Sequence, residues 1–203
     1  MKQLTRTLAA TVVALAVTAG AAQAQVTFSG TTTAAFNGAA FGAVGANTLG
    51  GLTIANGAFT TTTTTTGFGG IGGSGVNLGV ASLTASPFTY QGNMLSLLVS
   101  FTAPVGTSSS TFMANLLGSV EVDPTRGGVS VVFAPSTLMG NFPTGNTYML
   151  SIDNISLTPG QSNVEITGFI TASVVPEPAT VGLLGTGLLG LVGVSAARRR
   201  QKV

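Results

Sequence analysis

The chain has 203 residues, enough for one ordinary domain plus terminal segments. Only 6% of them are charged, against roughly 25% in a typical soluble domain, and there is no Cys, His or Trp. These absences exclude thiol nucleophiles, thiolate or histidine metal sites and any Ser-His-Asp triad. Disorder is disfavoured too, because 44% hydrophobic residues with little charge is the reverse of a disordered composition. The formal net charge is +2, and all but one of the basic residues sit at the ends: Lys2 and Arg6, then Arg198, Arg199, Arg200 and Lys202. Between residues 25 and 175, Glu121, Asp123, Asp153 and Glu165 stand against Arg126 alone, a net of −3. Nucleic acid is therefore not an expected partner, since binding it needs a basic face.

Residues 1–24 read as a secretory signal peptide. Lys2 and Arg6 supply the positive start, residues 8–17 the apolar run, and Ala22-Gln23-Ala24 the small-x-small pattern that a signal peptidase accepts. The run is short for a membrane span of ~20 residues, so cleavage after Ala24 is expected, with Gln25 as the mature N-terminus.

Residues 25–86 are nearly low-complexity, with threonine runs at 31–33 and 60–66 and a glycine cluster at 67–75. Threonine favours strands and clustered glycine favours turns. The pattern predicts strands over 26–36 and 52–61 joined by long glycine loops. The run 60–66 is read as a solvated loop in preference to an O-glycosylated segment.

Further on, residues 94–101 (MLSLLVSF) predict an apolar strand buried on both faces. Residues 119–123 and 129–133 predict a hairpin with Gly127 and Gly128 in its turn. Strands are also predicted over 148–157 and 164–174, separated by Thr158-Pro159-Gly160-Gln161-Ser162, whose Pro-Gly pair is a turn signal. In the last strand Val164, Ile166, Gly168, Ile170, Ala172 and Val174 fall on one face. The expectation for residues 25–174 is an all-β domain, a β-sandwich of jelly-roll-like kind.

The remaining segment, 175–203, has a different logic. Residues 179–197 carry no charge, and a helix of that length at ~1.5 Å per residue approaches the hydrocarbon thickness of a bilayer. Arg198, Arg199 and Arg200 follow and would hold that end in the cytoplasm, leaving the body of the protein outside the inner membrane. Gly182, Thr186 and Gly190 share one helical face, which is read as general glycine richness rather than a helix-dimer contact. Before the span, Pro176 and Pro178 fix φ and withhold donors, so the helix stops short of them and Glu177 stays extended.

Pro176-Glu177-Pro178, a glycine-rich span, an arginine cluster and the chain end, in that order, resemble the PEP-CTERM tail recognised by exosortases. The resemblance covers only the last 28 residues. It implies an exported protein of a Gram-negative bacterium, processed near Pro-Glu-Pro by a membrane protease, in organisms that often make exopolysaccharide and biofilm. The implied partners are signal peptidase, exosortase, the inner membrane and exopolysaccharide.

For chemistry in the middle of the chain, carboxylates and two tyrosines are what remain. Glu121 and Asp123 at i, i+2 on a strand would share a face. Such pairs serve glycoside hydrolysis or bind calcium. The simpler reading is a solvated strand face with Val120 and Val122 turned inward, and no metal. Asp153-Asn154 is read as a turn or bulge within its strand, and Arg126 as an exposed partner of Glu121 or Asp123. No cofactor is expected. The favoured function is a non-enzymatic surface or matrix protein; the alternative is a carbohydrate-binding module, for which the absence of Trp leaves a thin stacking platform.

Overall fold

A computed structural model describes residues 25–64, 67–73, 75–123, 126–143 and 145–174, together with Gly185, Gly187 and Leu188. The chain divides into two compact units, Met1–Ser173 and Val174–Val203. The strands of the first unit are β1 (Thr27–Phe36), β2 (Thr48–Leu49), β3 (Leu52–Ala55), β4 (Ala58–Thr62), β5 (Phe68–Ile71), β6 (Val80–Leu83), β7 (Phe88–Thr89) and β8 (Met94–Ala103). They continue with β9 (Ser110–Val120), β10 (Gly127–Phe133), β11 (Thr137–Phe142), β12 (Asn146–Ile152), β13 (Ile155–Leu157), β14 (Val164–Glu165) and β15 (Gly168–Ser173). Every pairing among them is antiparallel. The unit is β-rich, as its composition requires.

Three sheets result. The first runs β13-β10-β9-β8-β1-β4, with β7 added alongside the end of β9; the second is β11-β12-β15-β5 and the third β14-β6-β3-β2. The first sheet turns one face inward, built on Phe28, Phe59, Leu95, Leu97, Val99, Phe112, Leu116, Val129 and Val131, all nearly or fully buried. Aromatic rings join it to the second sheet: Phe28 meets Phe142 and Tyr148 at centroid distances of 5.4 and 5.9 Å, and Phe101 meets Tyr148 at 4.9 Å. These edge-on and tilted contacts suit the ring quadrupoles and bury large apolar areas. Tyr148 also donates its O–H to Ser108 O at 2.7 Å, so its polar tip is satisfied inside the core.

Low charge is explained on the outward faces. Hydroxyls pair across strands: Thr27 with Thr62 at 2.9 Å, Ser29 with Thr60 at 3.0 Å and Ser130 with Ser156 at 3.0 Å. Threonine and serine here do what lysine and glutamate do on most sheets, keeping a β-branched or small side chain in the strand and a polar atom in water.

The sequence-predicted strands over 52–61, 148–157 and 164–174 each divide between two sheets. β3 lies in the third sheet and β4 in the first; β12 lies in the second and β13 in the first; β14 lies in the third and β15 in the second. The break is two residues each time, and side chains anchor it. At Asp153-Asn154 the Phe133 N–H donates to Asn154 Oδ1 at 2.8 Å and the Thr167 hydroxyl to Asp153 Oδ2 at 2.8 Å. At Asn56-Gly57 the Gly57 N–H donates to Thr32 Oγ1 at 2.8 Å, and that hydroxyl donates in turn to Leu78 O at 2.8 Å. Gly57 has no room for a side chain, since an added Cβ would lie 2.4 Å from Asn77 O and from Gly79 N.

Other expectations are corrected as well. The strand predicted over 94–101 is buried on one face only: Met94 is 39% exposed, and Ser96, Leu98 and Ser100 are half-buried. Gly127 and Gly128 belong to β10, not to the hairpin turn, because β10 passes close between β9 and β13. A Cβ on Gly127 (φ +89°) would fall against Ser119 O, and one on Gly128 would lie 2.6 Å from Leu157 O. The threonine run is not a simple loop: Thr61 and Thr63 are buried, Thr61 donating to Gly70 O at 2.8 Å, and residues 68–71 of the glycine cluster form β5.

Candidate functional site

Four carboxylates and one arginine are the charged side chains of the described β unit, and each has a definite place. β9 ends at Val120, so Glu121 and Asp123 stand in the turn before β10 and not on a strand. Val122 between them is 87% exposed, against the inward position expected for it, while Val120 is buried as expected. The turn closes on itself: the Arg126 N–H donates to Asp123 O at 3.0 Å, and the Arg126 guanidinium lies 3.7 Å from the Asp123 carboxylate. Both partners of that ion pair are well exposed.

Beside this turn lies an open groove of about 570 Å³, with Phe88 and Thr89 on one side and Ser119 to Asp123 on the other. β7 creates it by pairing with the last two residues of β9, Phe88 opposite Val120 and Thr89 opposite Ser119. Phe88 is held in turn by Tyr90, ring to ring at 4.9 Å. Tyr90 is fully buried and donates its hydroxyl to Gly50 O at 2.5 Å; burial raises its pKa above the usual tyrosine value. The groove thus has a fixed aromatic wall and an acidic rim open to bulk water. An exposed carboxylate pair in such a setting has no low-dielectric surroundings to strengthen its field.

Asp153 and Glu165 lie apart from that turn in structural roles. Asp153 accepts the Thr167 hydroxyl at a sheet corner, and Glu165 Oε2 accepts the Gly73 N–H at 3.0 Å. Among the described residues no three Asp or Glu side chains gather as a metal site would require. The strand face expected for Glu121 and Asp123 is thus not formed: both stand in the turn after β9, with Val122 outward between them. Sequence reasoning passed over Thr32, Asn77 and Thr167, polar side chains that fasten the corners. Thr167, beside Gly168 and a strand break, had a local signal; Thr32, between two identical threonines, had none.

The remaining named residues lie outside the described residues: Ala22 and Ala24 before Gln25, and Pro176, Glu177, Pro178, Arg198, Arg199 and Arg200 in the second unit. Gln25 itself is exposed. The span expected over 179–197 lies there too, except for Gly185, Gly187 and Leu188, which are helical. Among the described residues no helix is long and apolar enough to cross a membrane. For this tail the comparison with protein families is decisive, because the family model of the PEP-CTERM protein-sorting motif matches residues 174–200. The chain carries a PEP-CTERM sorting motif. The matched PEP-CTERM segment begins directly after β15, whose last residue is Ser173, so sorting signal and β unit follow one another without overlap. No curated protein and no solved structure matches the chain.

Proposed function

We propose that this chain is an exported protein of a Gram-negative bacterium, held in the inner membrane by its C-terminal segment until an exosortase processes it near Pro176-Glu177-Pro178. Its β domain, read as a sandwich of the first two sheets, serves at the cell surface or in the extracellular matrix without catalysing a reaction. The observation that carries the reading is the PEP-CTERM motif at 174–200. Supporting it, two prolines would stop any helix over the following residues from running back through Glu177, and three arginines beyond an uncharged stretch favour a cytoplasmic end. The test replaces Pro176, Glu177 and Pro178 together by alanine in a host with its own exosortase. Export should persist while the protein stays in the inner membrane with its tail uncut. Processing identical to the parent protein would overturn the reading.

A second reading, carbohydrate binding, has one observation in its favour. Phe68 on β5 and Phe169 on β15 are stacked side by side, centroids 5.3 Å apart and planes at 27°, with Phe68 46% exposed. Apolar sugar faces pack on such rings. Retention on a glycan array that disappears with Phe68→Ala would favour it over the first reading.

A further inference from the structure

The outward face of the first sheet is unusual for its lack of charge. Alternation places Thr60 and Thr62 of β4, Thr27, Ser29, Thr31 and Thr33 of β1, and Met94, Ser96, Leu98, Ser100 and Thr102 of β8 on that side. β9 adds Thr111, Met113, Asn115 and Leu117, β10 adds Ser130 and Val132, and β13 adds Ser156. The registers confirm the set, pairing Ser29 with Thr60, Ser96 with Met113, Asn115 with Val132 and Ser130 with Ser156. Not one of these residues is ionisable at neutral pH. At the centre, Asn115 has Met94 and Val132 across from it on the two neighbouring strands and Met113 and Leu117 before and after it on its own face. Met94, Met113 and Leu117 are 39%, 41% and 46% exposed.

We propose that this face is a self-association surface, on which two copies of the chain pack sheet against sheet about a two-fold axis near Asn115. Three features favour a second copy over another occupant. A two-fold contact sets each patch against itself, and a face with no charge has no like-charge repulsion to overcome. A primary amide carries both donor and acceptor, so Asn115 pairs with its own symmetry mate as few side chains can. The area also suffices. Six strands about 4.8 Å apart, with β1, β8 and β9 of 10, 10 and 11 residues, present roughly 700 Å² per copy, or about 1,400 Å² in the pair. That falls within the range of about 1,200–2,000 Å² for stable protein interfaces. The hydroxyl rows of β1 and β4 form the polar rim, and the methionine, leucine and valine side chains the apolar centre. The proposal stands apart from how the tail is processed.

The absence of cysteine makes the test clean. Full-length protein in a mild non-ionic detergent, carrying Met94→Cys beside the intact Asn115, is treated with a bis-maleimide of about 14 Å reach, set by sheets about 10 Å apart and one strand spacing of about 4.8 Å on each side of the axis. Val105→Cys, on the loop after β8 and 84% exposed, serves as control. Met94→Cys should give a covalent dimer where Val105→Cys gives little. Adding Met113→Asp or, separately, Leu117→Asp sets like charges face to face and should lower the dimer yield about tenfold. Both positions are solvent-exposed, and circular dichroism verifies that the variants stay folded. A yield no higher than the control overturns the proposal. So does a dimer indifferent to both aspartates, which the tail or chance collision would produce, or one that forms only when a neutral polysaccharide is added.

Discussion

Thr31, Thr32 and Thr33 are identical in sequence, yet the structure assigns them very different energies. Thr32 is 1% exposed, and its hydroxyl both accepts from Gly57 N–H and donates to Leu78 O, each at 2.8 Å. Thr32→Val keeps the shape and strand propensity but strands a buried donor and a buried acceptor at the corner between β3 and β4. Each unsatisfied group costs about 1–3 kcal/mol, so a loss of about 3 kcal/mol is expected. With a denaturant dependence of about 2 kcal/mol per molar urea, the midpoint should fall by about 1.5 M. Thr31→Val, on the exposed outward face, should change it by no more than about 0.3 M, since surface substitutions stay within about 0.5 kcal/mol. Pulse proteolysis of the full-length protein in urea and mild detergent reads both. Equal midpoints for the two variants would refute the corner argument, because hydroxyl count and volume change alike in both.

Gly57→Ala should cost about 3 kcal/mol or more in the same assay, since its Cβ would lie 2.4 Å from backbone atoms that cannot swing away. Stability should fall as pH rises above about 10, the usual tyrosine value, because the raised pKa of Tyr90 means the unfolded chain gives up this proton first. Tyr90→Phe should lower stability at neutral pH, leaving Gly50 O without its donor, and should make the alkaline decline shallower. Millimolar calcium should leave the melting temperature unchanged; a rise of several degrees that is lost in Asp123→Asn would show a site at the β9–β10 turn. Arg126→Ala should cost at most about 1 kcal/mol, as expected for an exposed ion pair.

The tail was legible in the sequence because its signal is linear. Pro-Glu-Pro, an uncharged stretch and an arginine cluster act through their order along the chain, and no distant residue has to complete them. The β-rich character was legible for a similar reason, since threonine, valine and paired glycines bias the backbone residue by residue. Alternation also grouped Ile166, Ile170 and Ala172 on one face, and all three are buried.

What the chain alone did not decide was membership: which sheet a strand joins, and which of two faces meets another layer. Residues 52–61 and 148–157 read as continuous strands because a sheet corner needs only two residues and leaves the local alternation almost intact. The partners that hold the corners, Thr32 for Gly57 and Thr167 for Asp153, are 25 and 14 residues away. Gly127 and Gly128 look like turn residues until β9 and β13 are seen pressing on either side, and Phe68–Ile71 looks like a loop until β15 pairs with it. Local propensity is a property of the chain, whereas burial on one face and close passage of backbones arise only when distant strands are brought together. For this protein the address was written in sequence, and the surface it presents was made by the stacking of its sheets.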